Sequence, residues 1–224
     1  MKKFTIVFVI IASITMSGCL VGSLHPFYKN SDKVYDERLN GNWFDDDSCI
    51  WVIKPNEASQ GFGSSSRKDS TFNIVYYEDT DSKAVLVGTL FELNGFKYVD
   101  FVPDPDEEHC MSELTEFHHF PLHTLARIDF KKDTMMLFWY GEEWLENLFE
   151  ENKIRIKHET VAVSPDYNRH VLTASTEELQ KFILKYANDE ETTAQLEAAF
   201  NDGVDTEDHL FIKLYPYDGE VPNE

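Results

Sequence analysis

The densest group of chemically capable side chains is His109-Cys110 followed by His118, His119 and His123, five metal-ligand types within 15 residues. Imidazole and thiolate are the donors that zinc and copper take. The spacing works against a tight centre. On a strand, His119 and His123 share a face but lie about 13 Å apart at roughly 3.3 Å per residue, too far for one ion. A helix would bring them together, and Pro121 between them opposes one. With no His-Glu-x-x-His and no Cys-x-x-Cys pattern, exposed strand histidines are favoured over a metal site at His119 and His123. Asn201, Asp202, Gly203, Asp205, Glu207 and Asp208 gather oxygen donors of the kind calcium takes, as do Asp104, Asp106, Glu107 and Glu108. Neither group follows the Asp-x-Asp-x-Asp-Gly spacing of a calcium loop. Asp202 and Asp205 stay as outlying metal candidates, and both loops read as solvated acid. No cofactor is implied.

Nucleophile chemistry finds less support. There is no Gly-x-Ser-x-Gly elbow. Ser64 to Ser66 stand in the Gly/Ser stretch 61–66, too mobile to hold a nucleophile in place. Gly61-x-Gly63 lacks the Gly-Lys-Ser/Thr ending of a phosphate loop. A hydrolase built on an Asp/Glu pair is an alternative reading, but 41 acidic residues offer no way to single out a pair. A non-catalytic protein is the leading one.

The 224 residues suffice for one domain, and 42% hydrophobic with 14% aromatic content supplies a core. Twenty basic against 41 acidic side chains give a net charge of -21, which repels a phosphate backbone and excludes nucleic acid as a partner.

The N-terminus carries Lys2 and Lys3, an apolar run from Phe4 to Met16, and Ser17-Gly18-Cys19. That run of 13 residues is short of the roughly 20 a membrane-spanning helix needs, and it reads as a secretion signal. Met16-Ser17-Gly18-Cys19 resembles the lipobox of bacterial lipoproteins. The resemblance implies that residues 1–18 are a signal peptide cut away before a diacylated Cys19. It also implies cell-envelope localisation, at the outer membrane if the cell is Gram-negative, because Leu20 rather than Asp follows the cysteine. Loss of Lys2 and Lys3 leaves 18 basic against 41 acidic residues, a mature charge of -23. Residues 19–40, with His25-Pro26-Phe27-Tyr28, read as a lipidated tether that lets the acidic domain stand off the bilayer. Cys49 and Cys110 remain as an even pair in an oxidising compartment. They are candidates for a disulfide, worth about 4 kcal/mol on the chain-entropy model, or for two buried thiols.

Residues 41–224 read as a single antiparallel β domain, an α+β chain of mainly β character. Strands are predicted over 42–45, 49–54, 71–77, 83–93, 96–102, 118–130, 134–140, 154–163, 170–173 and 208–214, with Asn94-Gly95 as a hairpin turn. Both alternating sets of Val85 to Phe91 and of Thr134 to Tyr140 are largely apolar, so these strands are covered on two faces. Helices are predicted over 142–151, after the capping box Ser175-Thr176-Glu177-Glu178, and over 192–200.

Gly41-Asn42-Trp43 matches the Gly-x-Trp signature of the lipocalins and calycins, which implies an eight-stranded barrel with Trp43 closing one end. A helix over 142–151 interrupts that strand order, and a sandwich is the other architecture in view. The segments 22–28 and 172–180 are similar to bacterial lipoproteins of uncharacterised activity. Together these readings describe an envelope lipoprotein, its partners the membrane through its lipid and either an envelope protein or a small apolar ligand. A hollow barrel would carry the ligand; a filled one would act through its surface. The space behind Trp43, Phe72 and Trp139 decides between them.

Overall fold

A computed structural model describes residues 20–56, 70–80, 82–104, 120–151, 153–164, 167–202 and 209–222. Eight strands close a barrel: β2 (Gly41–Phe44), β3 (Ile50–Pro55), β4 (Thr71–Tyr77), β5 (Lys83–Leu93), β6 (Phe96–Pro103), β7 (His123–Lys131), β8 (Thr134–Tyr140) and β11 (His209–Pro216). Each is antiparallel to its neighbours, and β11 sits between β8 and β2 to shut the ring. The architecture is compatible with the lipocalin-like expectation. Between β8 and β11 the chain leaves the ring to form α1 (Glu142–Glu150), the hairpin β9 (His158–Ser164) and β10 (Tyr167–Leu172), α2 (Thr176–Tyr186) and α3 (Glu190–Asp202). The predicted helix at 142–151 therefore adds a layer outside the barrel and leaves the ring order intact.

Strand direction gives the barrel two distinct rims. The upper rim holds the β2–β3 and β4–β5 turns, the end of β8 and the start of β11. At the lower rim lie the start of β2, the β5–β6 and β7–β8 turns and the end of β11. Asn94 (φ 52) and Gly95 (φ 84) make the β5–β6 turn with the two left-handed residues that a tight hairpin requires.

Period-two alternation explains why so many strands are apolar on both sides. In β8, Met135, Leu137 and Trp139 face the barrel interior, while Met136, Phe138 and Tyr140 join an outer core with Trp144, Leu145, Leu179, Phe182 and Ile183. α1 and α2 supply that outer cover through one apolar face each, and α3 adds Leu196. Ser175 caps α2 as predicted, its hydroxyl accepting from the Glu178 amide while the Glu178 carboxylate accepts from the Ser175 amide. Residues 154–157, the start of the strand predicted over 154–163, are irregular, because Ile154 packs into the outer core ahead of β9.

The expected tether needs correction. Residues 20–40 are part of the folded body. β1 (Gly22–Ser23) pairs antiparallel with β7 and parallel with β10. Phe27 is 1% exposed, and Val34 N–H donates to the Leu90 carbonyl. A 3-10 turn, Glu37–Leu39, then tucks Leu39 under the lower rim. The segment is extended and carries a proline, as a spacer would, but Val21, Phe27, Tyr28 and Leu39 are apolar and find a core to enter.

Candidate functional site

The barrel interior is the place where a ligand-carrying protein of this architecture would keep its cargo. Inward positions are set by strand parity: Trp43, Trp51 and Ile53, Phe72 and Ile74, Leu90, Val99 and Phe101, Ala126 and Ile128, Trp139, and Leu214. All are buried, and together they form one contact cluster. Toward the upper rim a chain of rings crosses the lumen, with Tyr76 4.7 Å from Trp51, Trp51 6.0 Å from Trp139 and Trp139 5.1 Å from Phe101. The Trp51 indole N–H donates to Asp45 Oδ2 at 3.0 Å, which ties this chain to the β2–β3 turn. At the lower rim Trp43 donates to the Leu39 carbonyl at 3.1 Å, Tyr35 stacks on Phe72, and the Arg38 guanidinium lies 4.1 Å from the Phe130 ring centre. Gly88 faces inward mid-barrel, and a Cβ there would come within 2.6 Å of Ile74 Cδ1 and 3.1 Å of Val99 Cγ1. Trp43, Phe72 and Trp139 are thus packed against side chains.

The outer wall carries the most organised polar chemistry. Asp100, on the outward face of β6, is 1% exposed and its Oδ1 lies 2.7 Å from His123 Nδ1. Its Oδ2 accepts the Phe27 amide N–H at 2.8 Å. Burial pushes the Asp100 carboxyl upward, opposed by the pull of His123 and of the Phe27 amide. A buried carboxylate orienting an imidazole is a general-base arrangement. The hydroxyl in register with it, Ser23, is fully buried and donates to the Leu172 carbonyl. Geometry therefore makes the pair a clamp: it joins β6, β7 and the N-terminal segment at one point. Gln180 of α2 extends the clamp, donating to the Phe27 carbonyl at 3.2 Å and to Asp32 Oδ2 at 2.7 Å. Lower down, Asp36 accepts from Arg38 at 2.6 and 2.9 Å and from Lys97 at 2.7 Å, contacts that hold its carboxyl far below the usual range.

Of the metal candidates, only His123 has a described side chain, and Asp100 engages it. His119 and Asp205 lie outside the described residues, and Asp202 is described only as the last residue of α3. Among the described residues no three His, Cys, Asp or Glu side chains are placed to hold an ion. Cys19 and Cys110 also lie outside them. Cys49 is a buried free thiol 3.9 Å from the Glu78 carbonyl, its pKa raised by burial.

Asp100 and Glu142 escaped the sequence reading, although a signal was present. Asp100 is the one charge in Tyr98–Val102, and a charge within a strand apolar on both faces has to be buried with a partner. Glu142 is 5% exposed, and its carboxylate accepts the His170 amide within β10. Among the described residues, open depressions lie at the lower mouth of the barrel and beside the N-terminal segment. One of about 400 Å³ at the lower rim is lined by Arg38, Asn40, Trp43, Phe130, Lys132 and Tyr217 among others. The other, about 570 Å³, lies between His25–Asn30 and Ser175–Glu177. The chain matches no protein-family model, no curated protein and no solved structure.

Proposed function

We propose that this chain is a non-catalytic cell-envelope lipoprotein, held to a membrane through Cys19, whose barrel is a rigid scaffold acting through its outer surface on an envelope protein. The observation that supports this reading best is the filled lumen: an interior crossed by Tyr76, Trp51, Trp139 and Phe101, where a Cβ at Gly88 would come within 2.6 Å of Ile74 Cδ1, favours surface action over carriage of a small apolar ligand. The anchor is supported by Met16-Ser17-Gly18-Cys19 behind a basic tip and an apolar run. Burial and self-pairing of the polar groups around Asp100 and His123 favour a structural use of the one catalytic-looking pair.

Cell fractionation with mass spectrometry tests it. The mature chain is expected to begin at an acylated Cys19 and to sediment with membranes, and Cys19→Ser is expected to be released or left unprocessed. Crosslinking in intact cells is expected to trap an envelope protein on the outer wall. An unmodified N-terminus together with a soluble wild-type chain would overturn the anchor, and a substrate turned over only when His123 is intact would overturn the non-catalytic reading.

A further inference from the structure

We infer that the upper rim of the barrel abuts the bilayer directly, so that a lipid surface is the partner of that rim and the lower rim points away. The inference rests on the anchor at Cys19 proposed above and adds an orientation to it.

Leu20, the residue after Cys19, already belongs to the folded body. It bridges to Gly141, and Val21 N–H donates to the Tyr140 carbonyl at 2.9 Å. Tyr140 is the last residue of β8 and pairs with His209, the first of β11, which places this contact at the upper rim. Val21 is 3% exposed and Ser23 is fully buried. An acyl chain on Cys19 is therefore attached about 3.8 Å along the backbone from a residue fixed to the rim. Among the described residues, which begin at Leu20, no spacer lets the body stand away.

A second observation points to the same rim. Phe120 is 67% exposed, more than the other large apolar side chains described, and lies three residues before His123, the first residue of β7 at the upper end. Leu122 follows and packs beside Gly22. An exposed aromatic ring next to the anchoring strand suits the interfacial zone of a bilayer. The lower rim instead carries the exposed Lys54, Lys131 and Lys132, about 25 Å away for strands of some eight residues. Asp46, Asp47 and Asp79 are exposed in the upper turns, so attraction to anionic headgroups is not the source of this orientation.

The test uses the full acylated chain, extracted in detergent and reconstituted into phosphatidylcholine vesicles containing headgroup-spin-labelled phosphatidylcholine. A fluorophore is placed by Ser82→Cys in the upper β4–β5 turn or by Asp133→Cys in the lower β7–β8 turn, each in a Cys110→Ser background. Quenching is expected to be several-fold stronger at position 82 than at 133. A ten-residue Gly/Ser spacer inserted ahead of Leu20 is expected to abolish the difference while the chain stays on the vesicles. Equal quenching at the two positions, or stronger quenching at 133, would overturn the orientation with the anchor intact. A chain that carries no acyl mass on Cys19 and does not float with vesicles would overturn the anchor itself.

Discussion

Asp100 and His123 meet at 2.7 Å on the outer wall of the barrel, and the second oxygen of the same carboxylate takes the backbone amide of Phe27. One buried side chain thereby fastens the N-terminal segment to two barrel strands. Removing it leaves the Phe27 amide without its acceptor, so Asp100→Ala is expected to destabilise the protein by about 1–3 kcal/mol. Asp100→Asn keeps an acceptor and should cost less. Chemical denaturation checks the ranking, and amide hydrogen exchange should show Phe27 losing protection first.

Asp36 provides the pH dependence. Arg38, then Lys97, lower its folded-state pKa well below the ordinary value of 3.8. The folded state therefore binds that proton less readily than the unfolded state. The contribution is fully present above the unfolded value and is lost as pH falls through 3.8 toward the folded one. Melting temperature measured from pH 6 down to pH 3 is expected to fall less steeply in Asp36→Asn than in wild type. Parallel curves would refute this role for Asp36.

Gly88→Ala tests the filled lumen from inside. The added methyl group must displace the Ile74 Cδ1 end and press on Val99 Cγ1, at an expected cost of about 1–3 kcal/mol if the lumen is filled. A neutral or stabilising result by urea denaturation would mean that space was available.

Ser175→Ala tests the cover layer. It removes the hydroxyl half of the α2 capping box and should cost about 1 kcal/mol. Its effect should appear as earlier exchange in α2 than in β8.

Much of this fold is written in local patterns. Thr71–Tyr77, Lys83–Leu93 and Thr134–Tyr140 are strands at the predicted bounds, because alternation and turn residues such as Asn94-Gly95 act within a few residues. The two apolar faces of Thr134–Tyr140 announced a layer outside the sheet, and α1 to α3 are that layer. Long-range closure was less visible: nothing local to His209–Pro216 shows that it pairs with both β8 and β2. Residues 20–40 look like a linker because their partners lie far along the chain, Leu172 for Leu24, Asp100 for Phe27 and Leu90 for Val34. The clamp at Asp100 is hidden for the same reason, since its histidine lies 23 residues away on the next strand.

Organic extraction of the purified native protein separates a filled barrel that acts through its surface from a carrier of a small apolar ligand. After extraction, mass spectrometry is expected to recover no stoichiometric small molecule, the only lipid being the acyl groups bound covalently to Cys19. Recovery of an apolar molecule near one per chain, lost on filling the lumen with Ala126→Leu while the fold is retained, would show a ligand-carrying lumen instead.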